Sequence, residues 1–287
     1  MHVGAQFRAD VADVRVDAQV VAGKHPLDGL TRDDFVIVDN GSPCKIEYFA
    51  RESEPLSLLL LLDVSGSMQR SLELMARVAR EALAALQPGD RVAIMVFGKH
   101  AELHREFSGD LAESARQISS AIGSHDVGAG TAINLAVLSA AKYIREHGAG
   151  RKAILIVTDN LSLSYQIGDR QVIHALYDAD AVLNAMVIGR GIRPQPPKPG
   201  QYVNPDFTPA DVFLLAEETG GEAVKADHPD ITFREMVERI RNRYSLAYHA
   251  PGGEPGSLRR IYVTLAPAAR RANPNAEVRA RKGYYAP

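Results

Sequence analysis

Two periodicities divide the chain. Between residues 55 and 243, solidly apolar runs alternate with segments whose apolar positions recur every three or four residues. Leu56–Leu62 is an unbroken apolar run apart from Ser57, and it leads straight into Asp63. Such a run suits a parallel strand covered on both faces. The segment after it keeps Leu72, Met75, Ala76, Ala79, Leu83 and Leu86 at helical spacing, with Arg70, Glu73, Arg77 and Arg80 on other faces. Pro88-Gly89-Asp90 ends that helix and leads into a second buried strand, Arg91–Phe97. Ala101–Phe107 is polar and alternating, as expected of an edge strand. Helices are predicted at Leu111–Ile122 and Ile133–His147, and Ala153–Thr158 is another apolar strand that runs into a carboxylate, Asp159. A short helix near Gln171–Asp178, a strand at Val182–Ile188, a proline-rich loop over 189–209, a helix at Asp211–Glu218, a strand at Glu222–Lys225 and a helix at Ile231–Asn242 complete the alternation.

The flanks alternate with period two instead. Val14, Val16, Ala18 and Val20 oppose Arg15, Asp17 and Gln19, the pattern of a half-buried strand. Phe35–Val38 and a returning strand carrying Cys44, Ile46 and Tyr48 on one face are joined at Asn40-Gly41, a type I′ hairpin signal. At the other end, Tyr244, Leu246 and Tyr248 share a face, as do Ile261, Val263 and Leu265, and Glu277–Tyr285 reads as a last strand. Each flank is too small to hold a core alone. The expected fold is therefore α/β: a doubly wound, mostly parallel sheet with helices on both faces, inserted in or flanked by a small β-sandwich made from both ends of the chain. The boundaries are 1–54 and 244–287 for the two parts of the sandwich and 55–243 for the α/β domain.

Composition changes this picture little. The chain has 287 residues, 46% hydrophobic and 24% charged, with a formal net charge of −2. That balance gives no electrostatic reason to expect nucleic acid or an anionic membrane as partner. The single cysteine, Cys44, excludes an intrachain disulfide. No apolar stretch reaches the roughly 18 residues of a membrane span. Met1–Gln6 lacks the basic start and apolar core of a signal peptide.

The chemistry concentrates at strand ends. Ligands of a doubly wound sheet bind beyond the carboxyl ends of its strands, where the strand order reverses. If the order is 3-2-1-4-5, the strands ending at Asp63 and Asp159 are neighbours there. Ser65 and Ser67 follow Asp63 at alternate positions, and Thr131 opens a helix from the loop Gly128-Ala129-Gly130. Two carboxylates and three hydroxyls converging at one edge suit a hard cation with oxygen ligands. Taken singly, each residue could instead cap a helix or turn. A dinucleotide fingerprint, a nucleophile elbow and a zinc pair at His100 and His104 are each poorly matched.

Asp63-Val64-Ser65-Gly66-Ser67, Thr131 and Asp159 resemble the metal-ion-dependent adhesion site (MIDAS) of von Willebrand factor type A domains. Leu30–Phe35, Asn40-Gly41, Ile46–Phe49, Tyr244–Tyr248 and Arg281–Tyr285 are in addition similar to a bacterial von Willebrand factor A-related family. The resemblance implies that Asp63, Ser65, Ser67, Thr131 and Asp159 hold Mg²⁺, with Mn²⁺ or Ca²⁺ as alternatives. It implies that the open coordination position takes an Asp or Glu side chain of a protein partner. It further implies an exported adhesion or scaffolding module, not an enzyme, although the sequence leaves a cytoplasmic location open. The alternative is a metal-dependent hydrolase built on the same cluster, and a third reading is a scaffold without metal. Asn160 departs from the family, which more often has glycine after the aspartate, and Leu161–Gly168 is also atypical.

Overall fold

The computed structural model describes residues 13–23, 25–51, 54–123, 127–128, 130–161, 167–189, 191–195, 198–200, 202 and 210–287. The first residues of the chain and most of the proline-rich loop and of Leu161–Gly168 lie outside the described residues. In chain order the elements are β1 (Asp13–Ala22), β2 (His25–Pro26), a 3-10 turn (Arg32–Asp34), β3 (Phe35–Asp39), β4 (Ser42–Cys44), β5 (Tyr48–Arg51), β6 (Leu56–Asp63), α1 (Gln69–Leu83), β7 (Arg91–Phe97) and β8 (Ala101–Ser108). Then come α2 (Leu111–Ala121), α3 (Ile133–His147), β9 (Arg151–Thr158), α4 (Asp169–Asp178), β10 (Ala181–Ile188), α5 (Val212–Thr219), β11 (Ala223–Ala226) and α6 (Pro229–Arg241). The chain ends with β12 (Tyr244–His249), β13 (Leu258–Leu265), α7 (Pro267–Ala272), β14 (Ala276–Arg279) and β15 (Gly283–Tyr285).

The α/β part is a six-stranded sheet in the order β11-β10-β9-β6-β7-β8. Only β8 runs antiparallel, at the edge where its polar alternation placed it. Side chains of β6 alternate between two cores. Leu56, Leu58, Leu60 and Leu62 pack with α1, α2 and α6, while Leu59 and Leu61 pack with α3, α4 and α5. Burying a leucine contributes about 1.5–3 kcal/mol. The continuous leucine run therefore favours a strand covered on both faces, at the centre of the sheet.

The flanks build two sheets. One follows the order β14-β1-β12-β5, with β2 paired to β1, and the other is β15-β13-β3-β4. Val14, Val16, Ala18 and Val20 of β1 face Phe35, Ile37, Ile261, Val263 and Leu265 across one apolar core. The N-terminal flank pairs with the C-terminal one in register, from Asp13↔His249 to Ala18↔Tyr244. Asn40 and Gly41 both have positive φ, at 46° and 84°, as the hairpin turn requires.

The structure departs from the sequence reading at four points. The returning strand is not continuous, because β4 pairs with β3 and β5 pairs with β12 in the opposite sheet. The chain changes layer between them, so Ile46 is buried while Tyr48 is 43% exposed. The last strand is likewise split into β14 and β15, again in different sheets. α7 was not anticipated, although Pro267 stands at its first turn, a usual start signal. Finally, the polar face of β1 is not solvated. Asp17 and Gln19 are buried, because that face rests on the α/β domain.

The contact between the two parts is built on buried arginines. Arg151, at the start of β9, donates from Nε to Asp17 Oδ2 at 3.2 Å. Its other nitrogens donate to the carbonyls of Arg241 (2.9 Å) and Ile240 (3.0 Å), at the C-terminus of α6. Asp17 also accepts from Ser245 Oγ at 3.0 Å. Arg243 donates to the carbonyls of Asp17, Gly220 and Arg279. Beside them Asp90 accepts from the Leu56 and Gln87 amides, both at 2.8 Å, and pairs with Arg241. Burial pushes the Asp17 carboxyl up, but the charges of Arg151, Arg243 and Arg15 outweigh it and hold it below its usual value.

Asp17→Asn would leave Arg151 without its counter-charge and should cost roughly 3–5 kcal/mol in urea unfolding at neutral pH. A depressed folded-state pKa stabilises above the unfolded value of about 3.9 and ceases to do so as pH falls through the folded value. The stability gap between wild type and Asp17→Asn should therefore be full at neutral pH and narrow below about pH 4. A gap that stays constant into acid would contradict this account.

Candidate metal centre

β6 and β9 are parallel neighbours in register from Leu56↔Arg151 to Leu62↔Val157. Asp63 thus stands beside Thr158, and Asp159 lies one residue further on. The strand order that the sequence argument required is the one present, with the reversal between β6 and β9.

Asp63 is fully buried. Its Oδ1 accepts from the Ser65 amide at 3.0 Å, and its Oδ2 accepts from Thr158 Oγ1 at 2.8 Å. Ser67 Oγ donates to Asp159 Oδ2 at 2.8 Å and lies 3.3 Å from Ser65 Oγ. Four of the five candidate residues are therefore joined in one cluster. Asp63 and Asp159 form its buried floor, while Ser65 is half-buried and Ser67 exposed. Burial raises the Asp63 pKa. Hydrogen bonds from Ser65 and Thr158 oppose that rise, and the negative charge of Asp159 adds to it.

Thr131 arrives by a different route. Its loop packs on Gly98, the residue after β7: Ala132 N–H donates to Gly98 O at 2.8 Å and Lys99 N–H to Val127 O at 2.8 Å. A β-carbon on Gly98 would lie 2.8 Å from Gly128 O, so only glycine admits the loop. The end of β7 is in turn tied to the end of β6, where Val64 N–H donates to Phe97 O at 3.0 Å. Thr131 thus sits half-buried at the same sheet edge.

Helix capping does not account for these hydroxyls. The N-cap of α1 is Met68 and that of α3 is Ala132, and neither helix has a side-chain cap. Asp159 does brace its own turn, through Leu161 N–H to Oδ1 at 3.1 Å.

Asn160 has φ 55°, in the left-handed region. Glycine adopts that region freely and asparagine tolerates it, so the departure at this position leaves the turn intact. Its side chain donates to Ile192 O at 3.0 Å, tying in the loop after β10. Gly191 makes that approach feasible, since a β-carbon there would meet Asp159 O at 2.2 Å. Thr158, Gly98 and Gly191 were not singled out from the sequence. A threonine next to a strand-terminal aspartate and a glycine next to an apolar strand were the available signals.

The donor set suits a hard divalent cation. It offers carboxylate and hydroxyl oxygens, with no thiolate or imidazole in the cluster. Among the described residues, neither Asp63 nor Asp159 makes an ion pair, so no side-chain cation offsets this pair of carboxylates. No group of three or more His, Cys, Asp or Glu side chains converges among the described residues. The cluster here contains only two, and its hydroxyls supply the remaining oxygens.

Residues 58–161 match the von Willebrand factor type A domain family. Among solved structures, BatB from Bacteroides thetaiotaomicron is similar at 18% identity and a TM-score of 0.50, over 64% of this chain and 97% of that one. Proximal thread matrix protein 1 from the mussel byssus is similar at 14% identity and a TM-score of 0.51, over 71% of this chain and 51% of that one. A further structure of the byssus protein, with a zinc-occupied MIDAS motif, is similar at 13% identity and a TM-score of 0.50, over 71% of this chain and 50% of that one. No curated protein sequence matches the chain. Residues 58–161, the strands and loops that carry the cluster, are thus similar to von Willebrand factor type A domains, and at these identities the structural likeness shows the fold alone.

Proposed function

We propose that the chain is a divalent-metal-dependent protein-binding module, not an enzyme. In this reading Asp63, Ser65, Ser67, Thr131 and Asp159 hold Mg²⁺, with Mn²⁺ or Ca²⁺ as alternatives. The observation that carries it is the hydrogen-bonded cluster of Asp63, Ser65, Ser67 and Asp159, with its buried acidic floor and open hydroxyl rim. When bound, the metal supplies a Lewis-acidic position for a carboxylate from outside. The chain's own residues prepare that position. Ser67 directs its proton to Asp159 and Thr158 directs its proton to Asp63, so the carboxylates stay oriented. Hydroxyl ligands add no charge, which leaves the cation electrophilic toward a partner's Asp or Glu. The zinc-occupied MIDAS motif of the byssus protein supports metal binding as a property of such a site.

The three-part division at 1–54, 55–243 and 244–287 belongs to the same proposal. It is supported by the pairing of β1 with β12. Two segments of one base then carry the metal-binding domain between them. Export follows from the resemblance of the flanks to a bacterial family. No helix among the described residues is long and apolar enough to cross a membrane.

Metal binding is read directly by thermal unfolding. A ligand at about 100 times its Kd adds about 2.7 kcal/mol to stability. Millimolar Mg²⁺ or Mn²⁺ should raise the Tm of the wild type and leave Asp63→Ala unmoved. An equal rise in both would place the metal elsewhere, and no rise in the wild type would remove the reading.

Thr158→Val keeps the shape of the side chain and removes the proton donated to Asp63. It should lower metal affinity about 10–100-fold in isothermal titration, as loss of a group that orients a ligand does. Unchanged affinity would show that Thr158 has no such part. Partner capture from the source cells should be lost both with chelator and in Asp63→Ala.

A further inference from the structure

A second recognition surface lies away from the metal edge, on the face covered by α3, α4 and α5. α3 brings Leu138, Ala141, Lys142 and Arg145 to one flank, at the spacing of a helical stripe. α4 brings Arg170, His174, Ala175 and Asp178 to the facing flank by the same periodicity. Between them runs a cleft of about 710 Å³. That lies within the range of ligand-binding clefts, roughly 300–1,000 Å³. Its end is closed by Tyr285 of β15, which belongs to the β-sandwich. The Tyr285 ring lies 4.0 Å from that of His174 and is held in register opposite Leu258. The cleft is therefore lined by the α/β part and, at Tyr285, by the sandwich.

Its charge is one-sided. Among the described residues, Lys142 and Arg170 make no ion pair, and Arg145 meets only its chain neighbour Glu146, at 3.7 Å. The one carboxylate on the lining, Asp178, is occupied by His174 Nδ1 at 2.9 Å. Cations thus stand on both walls, over a floor formed by Leu138, Ala141 and Ala175. A small inorganic anion would leave that apolar floor uncovered. An apolar segment without acids would leave the cations unmatched. We propose that the cleft docks an acidic, amphipathic segment of a protein partner. Its carboxylates meet Lys142, Arg145 and Arg170, and its apolar side chains lie on the floor against Tyr285. None of these residues belongs to the metal cluster, so this docking is independent of the metal.

The test uses the full chain and a short fluorescein-labelled peptide alternating Glu with Leu and Phe, read by fluorescence anisotropy. Its control is the same peptide with Gln for each Glu. The acidic peptide should bind about tenfold or more tighter than the control, and its affinity should fall with salt, the behaviour of exposed ion pairs. Arg145→Glu combined with Arg170→Glu should weaken it about tenfold or more without changing Tm. Tyr285→Ala should also weaken it. Chelator and Asp63→Ala should leave it unchanged. Equal binding of the two peptides, no binding of either, or full affinity in the double variant would overturn the proposal. Binding lost with chelator would assign the peptide to the metal edge and overturn it as well.

Discussion

The parallel registration of β6 with β9 is the constraint from which the candidate site follows. Two apolar strands lie side by side in the same direction; β6 ends in Asp63, and β9 leads into Asp159 one residue past its end. Their shared register fixes how far apart those ends can be. Nothing in the turn after Asp63 could bring Asp159 to Ser67 if the strands slipped by one residue, because a slip would also turn every leucine of β6 to the wrong core. The leucines thus do two things at once. They hold the sheet between its helical layers, and they determine where the carboxylates stand. Thr158 completes the arrangement by fixing the orientation of Asp63 from the neighbouring strand.

Much of this was legible in the chain because both signals are local. A run such as Leu58–Leu62 followed by Asp63 states its own strand, its burial on both faces and its polar end. The reversal between β6 and β9 was inferred from the common strand order of such sheets, and the strand order observed agrees with it. What escaped the sequence depends on close approach between distant segments. Gly98 matters because a loop thirty residues on lies against it, and Gly191 because it touches the Asp159 turn. The flanks were harder for a related reason. In a sandwich the chain changes layer within a few residues, so an alternating run such as Cys44, Ile46 and Tyr48 serves two sheets in turn. Asp17 and Gln19 carry a solvent-facing pattern, yet their face is covered by another part of the molecule.

That covering explains the buried arginines. A flat apolar contact would let the sandwich rotate on the α/β domain. Arg151 instead bonds to Asp17 on one side and to the end of α6 on the other. Arg281 acts in the same way at a second point, with Asp180, the Tyr177 carbonyl and the Gly283 carbonyl. Directional bonds of this kind tolerate little change of angle. Charge burial is expensive, and its return here is orientation: the two parts meet in one pose.

The registration of β6 has a mechanical meaning as well. The sandwich meets the α/β domain at the first residues of β6 and β9, and the candidate metal site lies at their last. A pull between a bound partner and the sandwich would run along these strands and not across them. Under such a load the ladder from Ser57↔Arg91 to Asp63↔Phe97 must slide as one, since no single pair is free to open first. The strand that positions Asp63 is thus also the member through which the molecule would bear tension.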